Sequence, residues 1–142
     1  MKKAYLLLVL LLFPIVIYAE DISGEWILKT ELIQIIENGQ IMGFANPKKE
    51  ASISNIKIEN TSISFTYGKT TYKASFSQKD RYLILSLSNK KTPIIITIIP
   101  LKNGNYKFSY CMDATREPAS ATGTQLFINY IGTMIPAQKL NQ

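Results

Sequence analysis

Residues 61–88 read TSISFTYGKTTYKASFSQKDRYLILSLS, and this stretch decides the fold. Ile63, Phe65 and Tyr67 alternate with Ser64 and Thr66. Tyr72, Ala74 and Phe76 alternate with Thr71, Lys73, Ser75 and Ser77, and Leu83, Leu85 and Leu87 carry the rhythm onward. A period of two sends successive side chains to opposite faces of an extended chain, so each run offers one face to a core and the other to water. The breaks at Tyr67-Gly68-Lys69 and Gln78-Lys79-Asp80 are turn signals between such runs.

The same rhythm spreads outward. Tyr106, Phe108 and Tyr110 alternate with Lys107 and Ser109, while Asn38-Gly39 and Asn103-Gly104 are hairpin turns whose residues tolerate positive φ. Glu59-Asn60 and Asn89-Lys90-Lys91 add two weaker turns. The pattern predicts eight strands, over 25–37, 50–58, 61–67, 70–77, 81–88, 93–100, 105–112 and 124–131. Ile53 and Ile56 are out of step, which predicts a bulge near Ser54-Asn55. No helical stripe follows residue 20, and the last half-dozen residues read as a tail. Eight short antiparallel strands hide their edges either by closing into an up-and-down barrel, the expected fold, or by forming a two-sheet sandwich.

Before the strands, Lys2 and Lys3 precede an apolar run from Leu6 to Ile17, with Pro14 inside it and Ala19 at its end. A basic n-region, a short apolar core and a small residue before the cut make a secretory leader over 1–19. Glu20 and Asp21 end the run too early for a spanning helix. The expectation is an exported chain, periplasmic or secreted, with residues 20–142 as one domain and no membrane span after cleavage. No Cys lies near the cut, so a lipoprotein anchor is excluded. Removing the leader takes two of the 16 basic residues and none of the 10 acidic ones, lowering the formal charge from +6 to +4. The remaining basic residues stand in short groups at turns, such as Lys48-Lys49, Lys79 with Arg81, and Lys90-Lys91. They are not interleaved with aromatics along one face, so nucleic acid is not an expected partner.

Absences bound the chemistry. The chain has no His and one Cys, which removes histidine-assisted nucleophilic catalysis, histidine or cysteine zinc sites, and an internal disulfide. No glycine-rich phosphate loop occurs. Glu25, Glu31 and Glu37 share one face of the first strand with Ile27, Lys29, Ile33 and Ile35, and read as a solvated outer face. Asp113, Arg116 and Glu117 gather in the longest loop, where a surface ion pair is the ordinary reading. Cys111 is either a small buried hydrophobe or a free thiol. No enzyme activity, cofactor or metal is expected.

Two features point to binding. Phe65, Tyr67, Tyr72, Phe76, Tyr106, Phe108 and Tyr110 all fall in the core-facing register. A small barrel either fills its interior with such side chains or holds one small ligand, and tyrosines lining a pocket would suit an apolar or amphipathic molecule. The run Pro93 to Pro100 is apolar on both faces: Ile94, Ile96 and Ile98 on one, Ile95 and Ile99 on the other. Its outer isoleucines call for a neighbour: a protein partner or second copy, a membrane surface, or the C-terminal segment folding back.

Gly24-Glu25-Trp26, at the start of the first strand, resembles the G-x-W signature of lipocalin-like (calycin) barrels. The run from Tyr106 to Cys111, followed by Arg116-Glu117-Pro118, is similar to the end of small secreted bacterial domains of that kind. The resemblance implies that Trp26 packs across one closed end of the barrel and that Arg116 lies over it. It implies a ligand-binding module; the alternative is an envelope interaction or structural protein with a solid barrel.

Overall fold

The computed structural model describes residues 21–47, 52–88, 92–116 and 123–140. The expected leader, the pairs Lys48-Lys49 and Lys90-Lys91, and Glu117 lie outside them. Nine strands follow in order: β1 (Gly24–Glu37), β2 (Gln40–Ala45), β3 (Ile53–Glu59), β4 (Ser62–Tyr67), β5 (Thr70–Lys79), β6 (Tyr82–Ser86), β7 (Ile94–Pro100), β8 (Tyr106–Asp113) and β9 (Leu126–Pro136). Every pairing is antiparallel. β1, β3, β4, β5, β6, β7, β8 and β9 are neighbours in that order, and β9 returns to β1, closing an eight-stranded up-and-down barrel. Closure sets the sandwich aside. A short 3-10 turn, Ala137–Leu140, ends the described chain where a tail was expected.

The ninth strand, β2, was not expected. It forms a hairpin with the second half of β1 through Asn38 and Gly39, both at positive φ (48° and 81°), the backbone that a tight antiparallel turn needs. β3 pairs with the first half of the same edge of β1, and β2 ends the sheet order. The run Ile41-Met42-Gly43-Phe44 does not alternate, because Ile36 pairs with Ile41 and Ile35 with Gly43, leaving Met42 as an extra residue. β9 also runs five residues past its expected end, to Pro136.

Two further bulges set which residues enter the core. The β3 bulge falls between Ile53 and Asn55, as expected, and lets Ile53, Ile56 and Ile58 all point inward. In β1 the register shifts between Thr30 and Leu32. This corrects the single-face reading of β1: Glu25, Lys29 and Glu31 are exposed outside, while Ile33 turns into the core. Gly132 pairs with Thr30 beside that bulge, where an added Cβ would fall on the Lys29 carbonyl and within 2.8 Å of Thr30 Cα. No larger residue fits there without backbone movement.

The strands are strongly staggered, as closure requires. A row of hydrogen-bonded neighbours runs from Ile33 through Tyr130, Tyr110, Ile96 and Leu83 to Gln78, which lies near the opposite end of β5 from the β4–β5 turn. The first five of these side chains are buried and make a continuous layer across the interior. Each fully buried side chain of this size contributes about 1.5–3 kcal/mol of hydrophobic stabilisation.

Candidate functional site

The two ends of the barrel differ in how they finish the core. At the end where β1 begins, Ile22, Trp26, Leu28, Ile58, Tyr106 and Met134 are all buried. The Trp26 indole N–H donates to the Ile22 carbonyl at 2.9 Å, and its ring meets Tyr106 edge-on with centroids 5.4 Å apart. Trp26 is buried at this end, and Arg116 does not cover it. β8 begins at Tyr106 beside the indole and runs away from it, so Arg116, three residues past Asp113, is exposed at the opposite end. Tyr106 and Ile22 supply the cover instead.

At that opposite end the inward apolar residues are only half-buried: Ala45, Tyr67, Tyr72, Ile94, Met112 and Ile128 pack on the core below and remain partly open above. Ala45 and Tyr67 end their strands, and Ile94 begins its own. Leu85 pairs with Ile94; Met112 pairs with Ile128 and Ile128 with Ile35. These side chains form a rim. The connections β2–β3, β6–β7 and β8–β9, the longest in the chain, all leave from this end.

The floor beneath the rim is tyrosine. Tyr110 stacks on Tyr130 with ring centroids 4.8 Å apart and on Phe108 at 6.0 Å. Tyr110 also reaches from β8 to β3, where its hydroxyl oxygen accepts the Ile53 backbone N–H at 2.7 Å. The lumen is therefore filled at this level. Burial pushes the Tyr110 phenol well above its ordinary value, and burial together with the Tyr67 hydroxyl pushes Tyr130 up to about 12. Both are neutral hydrogen-bonding groups at physiological pH.

A notch opens on the wall beside this rim. β7–β8 pairing starts at Ile96 and Tyr110, so above that point the two strands separate. The gap holds a notch of about 490 Å³ lined by Thr92, Pro93, Ile94, Cys111, Met112, Asp113 and Phe127. Ile94 and Met112 come from the inner rim, Cys111 and Phe127 from the outer face. The Asp113 carboxylate accepts the Thr115 backbone N–H at 2.9 Å, and hydrogen bonds from Thr115 hold its pKa below the usual carboxylate range. Cys111 is an exposed free thiol, which decides between the two readings of that residue; partial burial and Asp113 push its pKa up, so it is less nucleophilic than an ordinary cysteine.

The seven aromatics singled out in the sequence therefore divide. Phe65, Tyr106, Phe108 and Tyr110 are buried in packed core, Tyr67 and Tyr72 line the rim, and Phe76 is half-buried towards the Trp26 end, its N–H bonded to the Thr61 carbonyl just before β4. Sequence reasoning missed Met112, Ile128 and Tyr130. Met112 continues the alternation of Tyr106, Phe108 and Tyr110 by one step, and Ile128 and Tyr130 alternate in β9, so the signal was present but aliphatic in part. The carboxylates Glu25 and Glu31 serve surface ion pairs, with Lys57 at 3.8 Å and Lys107 at 2.6 Å. Among the described residues no group of three metal-ligating side chains occurs, and no helix is long and apolar enough to cross a membrane. No family model, curated protein sequence or solved structure matches the chain.

Proposed function

We propose that the protein is an exported, lipocalin-like binding module that takes a small amphipathic molecule at the open end of its barrel, without bond chemistry. The observation that carries this reading is the notch between β7 and β8. At about 490 Å³ it is within the size range of small-molecule sites. Its walls are mixed: Pro93, Ile94, Met112 and Phe127 suit an apolar body, and the Asp113 carboxylate and Thr92 suit a polar end that donates hydrogen bonds. The basic and apolar residues before Ala19 support export, and the Trp26-closed end supports the calycin resemblance.

A titration with an apolar fluorescent probe tests this reading. The folded parent should bind it at one site. Met112→Ser, in the half-buried wall of the notch, should weaken binding with little loss of stability, since a side chain beside open space leaves no enclosed void. Tyr106→Ser, in packed core beside Trp26, should destabilise by several kcal/mol, about 3–5 for loss of a buried large aromatic. A parent that binds no probe saturably contradicts the reading.

A second reading, a protein-interaction scaffold, is favoured by β2. Its outer edge has no strand partner among the described residues, and Ile41, Met42 and Phe44 are exposed by 56, 60 and 64%. Such an edge accepts an added strand from another protein.

A further inference from the structure

Charge is divided around the barrel wall. Between Glu59 and Asp113 the chain carries eight basic residues and a single acidic one, Asp80. That stretch supplies β4 to β8, while Glu25, Glu31, Glu37 and Glu59 stand on β1 and β3. The described basic residues of the stretch, Lys69, Lys73, Lys79, Arg81, Lys102 and Lys107, stand on β5 and β8 and in the turns between β4 and β8.

The same wall carries most of the exposed apolar surface of the closed barrel. On its outer face Ile84 pairs with Ile95, Tyr82 with Thr97, and Ile99 with Lys107. Tyr82, Ile95, Ile99 and Leu101 are exposed by 45, 47, 48 and 37%. Lys79 pairs directly with Tyr82, and the Arg81 carbonyl accepts the Ile98 N–H, which sets the Lys79–Tyr82 turn against β7. Lys102 follows Leu101 in the next turn at the same end. Among the described residues none of Lys79, Arg81 and Lys102 forms an ion pair, whereas Lys107, nearest the acidic side, is neutralised by Glu31.

We propose that this β5–β8 wall docks the barrel on an anionic lipid surface. Apolar side chains of the wall enter the boundary between headgroups and acyl chains, and Lys79, Arg81 and Lys102 at its Trp26 end reach the phosphates. Charge selects this occupant. A second copy on the same face would bring two basic rims together, and a nucleic acid would meet aliphatic side chains where it needs stacking aromatics. The Lys79–Tyr82 and Pro100–Tyr106 turns lie at the Trp26 end, while Ile95 stands beside Pro93 and Ile94 of the notch, so the docked wall reaches the notch's β7 side.

Co-sedimentation of the full chain with vesicles of phosphatidylcholine alone, and of equal parts phosphatidylcholine and phosphatidylglycerol, tests the proposal. The apolar run before Ala19 is common to every variant, so the reading is the ratio of binding to the two vesicle types. The parent should prefer the anionic vesicles, and added salt should remove the preference. K79Q/R81Q should lower the ratio roughly tenfold or more, since each basic residue near such a surface contributes about a fivefold factor. I95S/I99S should weaken anionic-vesicle binding while leaving the salt dependence in place. K29Q/K57Q removes the same charge from the other side and should leave the ratio unchanged. Four results would each overturn the proposal: a parent ratio near one, equal losses in the two charge variants, full binding by I95S/I99S, or a dimer in solution that I95S/I99S dissolves. The probe titration at the notch is read independently of all of them.

Discussion

Tyr110 has two structural roles that one phenol ring rarely combines. Its ring fills the lumen between Phe108 and Tyr130, and its hydroxyl takes up the N–H of Ile53, a residue with no exposed surface. Tyr110→Phe keeps the first role and removes the second, leaving a buried donor without a partner. The expected loss is about 1–3 kcal/mol, read as a lower denaturant midpoint at unchanged slope. A shift within error would mean that water or a neighbouring carbonyl satisfies Ile53. The two buried phenols also fix a direction with pH. Both have folded-state pKa values raised above the ordinary 10.0, with Tyr130 near 12. Above pH 10 the unfolded chain therefore loses these protons first. The stabilisation is complete below pH 10 and is lost progressively above it. Absorbance titration should show these two tyrosines ionising only with alkaline unfolding. Early ionisation of the full tyrosine complement would contradict their burial.

At the scale of the element, β1 holds the barrel together. One edge takes β9 along most of its length, the other takes β3 and then β2, and the bulge between Thr30 and Leu32 reverses which face looks inward. Gly132→Ala tests that bulge, because a methyl group there meets backbone on Lys29 and Thr30. An overpacking loss of about 1–3 kcal/mol in thermal or chemical unfolding is expected; unchanged stability would mean the two strands can separate freely. Trp26→Ala should remove about 3–5 kcal/mol, since the indole is buried against Tyr106 and held by Ile22. Alternation made β4, β5, β6 and β8 legible in the sequence, and the isoleucine run bracketed by Pro93 and Pro100 made β7 so. β2 was not legible because its bulge at Met42 breaks the period in a strand of only six residues. The reversal inside β1 was hidden for a different reason: Glu25 to Glu37 reads as a single face in sequence, and only pairing with β9 shows that Glu31 is left out.

Over the whole molecule, the barrel has a closed end built on Trp26 and an open end built on Tyr110 and Tyr130. Half of the candidate site was legible, because aromatics in a strand register declare an inward face. Which of them lie deep and which lie at the rim depends on the stagger of the closed sheet, and no single strand carries that information. The separation of β7 from β8 was hidden likewise, because Ile94 and Ile96 look alike in sequence but only Ile96 pairs with β8. The three described methionines sit where the competing readings differ. Met112 lines the notch, Met134 is fully buried in the core, and Met42 is exposed on β2. Methyl resonances of methionine-labelled protein, followed as an amphipathic probe is added, test the central claim most directly. Binding at the open end predicts a saturable shift of Met112 with Met134 and Met42 unmoved; a shift confined to Met42, or none at Met112 when the probe is bound, would contradict it.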